Sequence, residues 1–204
     1  MEIISLKIKS KTNPNIFIAT TTRGEFSLYS DVIVQYGIKK GEVSEQTFFE
    51  AVEQSEFLIG YNLAVKYIGN KLKTEKQIKD YLYKHGFKTN QINRIVEKLL
   101  EYKLIDDCLY AQTYSRINIK FSKQKLKQKL SLAGVKKDLA ESVLQDKDDF
   151  EACKKEAEKY LKNKERSKQT IEKLKRRLSG MGFSWTDISK VLDCCNFEVE
   201  DDWN

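Results

Sequence analysis

Two adjacent carboxylates, Asp106 and Asp107, stand between Leu104-Ile105 and Tyr110-Ala111. Buried side by side, such a pair can act as general acid and base or hold a divalent metal. A plainer task suits them better. Asp107 can cap the helix bearing Tyr110 and Tyr114, with both acids stabilised at its positive end. The one histidine, His85, sits beside Gly86 at an expected helix C-terminus, where positive charge is welcome and no catalytic partner is at hand. Cys108, Cys153, Cys194 and Cys195 show no CxxC spacing and read as reduced thiols, not as a zinc site. There is no GxxxxGK[ST] phosphate loop, GxSxG elbow or HExxH pair, and Gly180-Met181-Gly182 reads as a helix stop. No catalytic residue, cofactor or metal is expected, and the chain does not read as an enzyme.

Charge is the stronger signal. The thirty residues between Asp107 and Asp138 hold no acid and eight bases: Arg116, Lys120, Lys123, Lys125, Lys127, Lys129, Lys136 and Lys137. Over residues 108–146, eight bases against three acids supply +5 of the chain's +7. Such charge repels itself and is not needed for folding, so an acidic or polyanionic partner is inferred. On a helical wheel Lys123 and Lys127 flank one side of the Leu126–Leu130 stripe, Lys125 and Lys129 the other. Any single lysine reads as snorkelling along the core edge; the acid-free run as a whole reads as partner-binding. Lys173, Lys175, Arg176 and Arg177 form a second basic cluster, weakened by Glu165 and Glu172 and as readily a solvated face. Phe121 and Tyr83 alone look free enough to stack on bases, with core packing the preferred reading of both.

The elements that carry these residues repeat. Gly86-Phe87, Gly134-Val135 and Gly182-Phe183 are 48 residues apart. Twelve before each glycine stand Thr74, Ser122 and Thr170, read as helix caps. Ile78, Leu126 and Leu174 stand eight before, and Leu82, Leu130 and Leu178 four before. After it come Ile92, Ala140 and Ile188, then Ile95, Val143 and Val191, then Val96, Leu144 and Leu192. A fixed period of this length marks a helical array whose units bury apolar faces against their neighbours. The first sixty residues alternate instead. Ile4, Leu6 and Ile8 give one strand, Thr12-Asn13-Pro14-Asn15 a turn, Ile16–Thr20 a second strand, and Phe26 and Leu28 a third. A short helix then stops at Gly37, and Ser44 caps one carrying Phe48, Phe49 and Val52. The fold class is mainly α: three tandem three-helix repeats with a small β-rich N-terminal extension. The extension is placed at residues 1–60, repeat one at 61–107, repeat two at 108–147, and repeat three with a short tail at 148–204.

No apolar run approaches the roughly 20 residues of a membrane helix. The N-terminus lacks the form of a secretory signal. A cytoplasmic monomer without membrane contact is expected.

Ala64-Val65-Lys66-Tyr67-Ile68, Leu82 with Gly86-Phe87, and above all Leu104-Ile105-Asp106-Asp107 followed by Tyr110-Ala111 and Tyr114 resemble RecX, the regulatory family of the RecA recombinase. Leu126, Leu130, Gly134-Val135, Leu174, Leu178 and Gly182-Phe183 extend the likeness over residues 62–195. It implies three tandem three-helix repeats that bind the RecA filament on single-stranded DNA, touching that DNA indirectly or weakly. It implies restraint of RecA's ATPase, strand-exchange and co-protease activities, hence regulation of DNA repair and the SOS response, and no catalytic residue. Where family members often place a glycine or Gly-Pro before the second helix of repeat two, this chain has Phe121-Ser122. The alternative is a direct DNA-binding protein built from helix-turn-helix-like repeats.

Overall fold

The structure is a computed structural model that describes residues 1–165 and 167–194. Cys195 and the rest of the expected tail, 195–204, lie outside the described residues. The chain forms two compact units, Met1–Asp106 and Asp107–Asn204.

In the first unit, β1 (Glu2–Ser10), β2 (Asn13–Thr21), β3 (Gly24–Tyr29) and the two-residue β4 (Gly41–Glu42) make an antiparallel sheet in the order β3-β2-β1-β4. Helices α1 (Ser30–Gln35), α2 (Glu45–Ile68), α3 (Glu75–Lys84) and α4 (Thr89–Glu101) accompany it. Two strand expectations are corrected. The chain turns at Lys11-Thr12, and Pro14 lies inside β2. Pairing jumps from Ile8↔Phe17 to Ser10↔Asn13, so Pro14 falls where no ladder N–H is required. On β1, Ile3 opposes Thr21 while Ser5 opposes Thr20, which makes Ile4 the extra residue of a bulge. Ile3 and Leu6 therefore share the covered face, and Ile4 is left 49% exposed.

That face is covered by α2, whose Phe48, Ala51 and Val52 join Ile3, Ala19 and Leu28 in one core. Ser44 precedes α2 but makes no side-chain cap bond. The helix is continuous for 24 residues, so the extension and repeat one share it. Its C-terminal half serves a second core with Ala64, Ile78, Leu82, Ile92, Ile95 and Leu99. Gly60 lets this helix pass close to α4: a Cβ there would lie 2.5 Å from Ile95 Cδ1 and 2.7 Å from Phe87 Cε1.

The second unit holds α5 (Asp107–Ile117), α6 (Lys123–Leu132), α7 (Lys137–Val143), α8 (Asp149–Leu161), α9 (Lys168–Gly180) and α10 (Trp185–Cys194). One stop motif closes the second helix of all three repeats. Gly86, Gly134 and Gly182 have φ of +85°, +94° and +88°. The next residues, Phe87, Val135 and Phe183, donate their N–H groups back to Leu82, Leu130 and Leu178 at 3.3, 3.0 and 3.3 Å. These six-to-one bonds satisfy carbonyls the helix would otherwise leave open, and they need a left-handed residue. Lys103 occupies the same conformation at φ +54° after α4, with Leu104 donating to Leu99 at 2.9 Å.

Starts are less uniform. Thr74 and Ser122 cap α3 and α6 by accepting from Gln77 and Lys125 N–H groups. Thr170 does not cap α9. Ser167 does, accepting from the Thr170 N–H, because a hydroxyl one turn earlier, followed by the good helix formers Lys168 and Gln169, lets the helix begin sooner. The cores also differ from the expected stacking. Each repeat has its own buried cluster, and Phe121 packs against those of both repeats two and three.

Candidate partner-binding surface

Arg116 ends α5, Lys120 lies in the following link, Lys123, Lys125, Lys127 and Lys129 ride α6, and Lys136 and Lys137 open α7. The acid-free run divides by partner. Lys127 pairs with Glu141 of α7 at 2.9 Å, and its hydrogen bond, then its charge, holds the Glu141 carboxyl below the ordinary range. Lys123 Nζ donates to the Gln145 carbonyl at 3.0 Å. These two fasten α6 to α7 and the turn that follows it. Arg116, Lys120, Lys125, Lys129, Lys136 and Lys137 form no ion pair among the described residues.

The start of α6 is tied to repeat three. Ser122 donates its N–H to the Met181 carbonyl at 3.1 Å, and the Lys123 N–H donates to Asp149 at 2.8 Å. The carboxylate of Asp149 also pairs with Lys147 at 2.9 Å. Gly182 is pressed so closely against Ser122 and the Lys125 stem that a Cβ would come within 2.8 Å of both. A serine is thus what this junction uses: a hydroxyl to cap α6 and an N–H to join the repeats. Asp149 escaped the sequence reading because it acts on a helix 26 residues away.

On the far side of α6, Lys129 Nζ sits 5.3 Å from the Phe121 ring centre and Lys120 Nζ 5.4 Å. Phe121 is half-buried, as its core reading required, while Tyr83 is 70% exposed and corrects the core reading made for it. Repeat two thus carries a run of unpaired cations, and Ile117 and Ile119, close to Lys120 in the chain, are exposed.

The repeat-three cluster is more neutralised. Lys175 pairs with Glu172 at 2.8 Å and keeps the Glu172 carboxyl below its usual range. Arg177 lies 3.5 Å from Glu156. Lys173 and Arg176 line a shallow cleft of about 300 Å³ without an ion pair among the described residues.

Asp107 is the first residue of α5, so the cap position falls to Asp106, one residue earlier than expected. An open cleft of about 480 Å³ gathers Asp146, Asp148, Asp149 and Asp187, and the last three carboxylates already serve helix starts. Asp148 accepts from the Phe150 and Glu151 N–H groups, Asp149 from Lys123, and Asp187 from the Ser184 hydroxyl. Among the described residues no group of three His, Cys, Asp or Glu is placed to hold a metal ion, and no helix is long and apolar enough to cross a membrane. The arrangement can offer positive charge to a macromolecule.

Residues 61–99 match the family model described as RecX, first three-helix domain. A regulatory protein RecX from Streptococcus mutans is 33% identical over 180 residues, covering 85% of this chain and 70% of the relative. One from Clostridium acetobutylicum is 31% identical over 205 residues, covering 93% and 92%. A crystal structure of regulatory protein RecX aligns with a TM-score of 0.63 at 22% identity, over 94% of this chain and 98% of that one, a likeness of fold. RecX from Lactobacillus salivarius aligns with a TM-score of 0.57 at 27% identity, over 68% and 95%. Repeated stop motifs, caps and cores thus coincide with relatives that span most of the sequence, and the chain belongs to the RecX family of regulatory proteins.

Proposed function

We propose that this protein binds the RecA filament on single-stranded DNA in the cytoplasm and restrains RecA's ATPase, strand-exchange and co-protease activities. Family membership supports the regulatory role, and one observation carries the mechanism. Of eight bases in an acid-free stretch, only Lys127 forms an ion pair and Lys123 bonds the Gln145 carbonyl, so six have neither partner among the described residues. Charge left outward on a folded surface favours an acidic protein face or the phosphates of DNA held within a filament. Repeats one and three lengthen the footprint.

The test is RecA ATPase on single-stranded DNA with and without the protein, at physiological salt. Wild type lowers the rate. A variant neutralising Lys120, Lys125 and Lys129 needs about tenfold more protein for the same effect, in line with losing several exposed charge contacts. Undiminished inhibition by that variant would overturn the charge mechanism, and no inhibition by wild type would overturn the reading itself.

A further inference from the structure

Repeat one carries a surface that the basic run of repeat two does not explain. Tyr67, near the end of α2, and Tyr81 of α3 stack with ring centres 3.8 Å apart and planes within 3°. Lys73 Nζ covers the outer face of Tyr67 at 4.3 Å, closing that end of the column. His85 adjoins the pair on the Tyr81 side: its ring centre lies 4.3 Å from Tyr81 with the planes tilted by 47°, and its side chain is exposed. Its Nδ1 lies 2.8 Å from the Tyr81 carbonyl oxygen, which can only accept, so Nδ1 carries the proton and the imidazole is held in place. A ring fixed in advance loses little freedom when something stacks on it.

The surroundings are cationic. Residues 66–88 contain seven bases and two acids, and both acids are engaged, Asp80 by Lys76 at 2.8 Å and Glu75 by Lys79 at 2.6 Å. Lys66, Lys71, Lys73, Lys84 and Lys88 are left without an ion pair among the described residues. Lys84 adjoins His85 in the chain, and Lys88 follows three residues later. Lys84 and Lys88, close in the chain to an exposed and pre-positioned imidazole, supply ammonium charge that matches a phosphate backbone whose bases are unstacked from one another. A duplex offers the phosphates without a free base face, and an acidic protein surface offers charge without a flat π partner.

We propose that this face of repeat one is a binding site for single-stranded nucleic acid, with one unpaired base stacked on His85 and neighbouring phosphates met by Lys84 and Lys88. The site uses none of the α6 residues and does not depend on RecA.

The experiment uses the full chain and a fluorescein-labelled thymidine 20-mer, beside an abasic 20-mer of the same phosphate count, read by anisotropy at 0.15 M salt. Wild type should prefer the thymidine strand by about fivefold or more, the usual worth of one stacked base. His85→Ala, an exposed change whose folding is checked by circular dichroism, should reduce thymidine affinity to the abasic level and leave abasic binding unchanged. Lys84→Gln should weaken both strands alike and make the log–log salt slope shallower by about 0.7. Equal binding of the two strands by wild type would overturn the proposal, as would a preference that survives His85→Ala. Displacement of the thymidine strand by poly-glutamate of matched charge as readily as by unlabelled strand would also overturn it, in favour of an acidic protein partner. RecA is absent throughout, so the outcome is separable from that of the filament assay.

Discussion

Replacing Gly182 by alanine should destabilise the fold far more than the same change at Gly86, although both close equivalent helices at φ of +88° and +85°. Each substitution places a Cβ in the left-handed region, which costs about 1–2 kcal/mol, offset in part by a less flexible unfolded chain. At Gly86 nothing lies within 4 Å of the new atom. At Gly182 it would stand 2.7 Å from Ser122 Oγ and 2.8 Å from Lys125 Cβ. Neither neighbour can retreat. Ser122 Oγ is held by the Lys125 N–H at 3.1 Å, its own N–H is held by Met181, and Lys125 Cβ is fixed to the α6 backbone. Relief requires a shift of the helix, and overpacking of that kind costs about 1–3 kcal/mol more. The expected losses are about 1 kcal/mol at Gly86 and about 2–4 kcal/mol at Gly182.

Urea unfolding separates the two. Of the two tryptophans, Trp185 lies on α10 of the second unit and Trp203 lies outside the described residues, so tryptophan fluorescence reports that unit through Trp185 while circular dichroism reports the whole chain. With a urea slope of about 1–3 kcal/mol per molar, Gly182→Ala should lower the fluorescence midpoint by about 1 M or more. Gly86→Ala should leave it in place and lower only part of the helical signal. Equal midpoint losses for both variants, or an unmoved fluorescence midpoint in Gly182→Ala, would refute the reasoning.

Three further outcomes are expected. Lys103→Gly should raise stability by about 1 kcal/mol, read by thermal melting, because it releases a Cβ from a left-handed stop that glycine adopts freely. Gly60→Ala should cost about 1–2 kcal/mol through the meeting with Ile95 and Phe87, and a double-mutant cycle with Ile95→Val, which deletes Cδ1, should recover part of that loss. The Glu141 carboxyl is held low in the folded state, so the Lys127–Glu141 pair contributes above the ordinary carboxylate value near 4.5 and loses its contribution as pH falls through the lowered one. In Glu141→Gln the acid-side slope of urea midpoints measured between pH 3 and 7 should become shallower, with the part due to carboxyls such as Glu172 remaining.

The leucine pairs and the stop glycines were legible because they repeat at one spacing and each answers a local need, a buried stripe or a left-handed carbonyl closure. Thr74 and Ser122 were legible for the same reason. Ser167 was not, since the 48-residue frame presumes equal helices and α9 has an extra turn at its start. The bulge at Ile4 was hidden because alternation along β1 does not reveal that two of its residues oppose one on β2. Tyr81 and His85 stand four apart and share a helix face, a visible signal, but Tyr67 joins them only through the packing of α2 on α3. The charge run was visible as an acid-free stretch, but its internal division was not. Lys127 meets an acid 14 residues away on another helix, a partner that no wheel of α6 displays.

That unevenness supplies a control that uniform neutralisation lacks. Lys123→Gln with Lys127→Gln and Lys125→Gln with Lys129→Gln each remove two positive charges from the same helix. If only the summed field of repeat two attracts RecA, the two doubles should weaken filament inhibition equally and share one salt dependence. If a defined face makes contact, they should part. Losing Lys125 and Lys129 removes one of the two ammonium groups beside Phe121 and leaves the bonds to α7 intact, so inhibition should fall about tenfold with unchanged urea midpoints. Losing Lys123 and Lys127 strips Glu141 and the Gln145 carbonyl of their partners, so the tryptophan-reported midpoint should drop while inhibition by the folded protein is largely kept. The reverse pattern, with inhibition lost in the Lys123/Lys127 double and kept in the other, would place the contact on the α7 side and refute the division of the run made here.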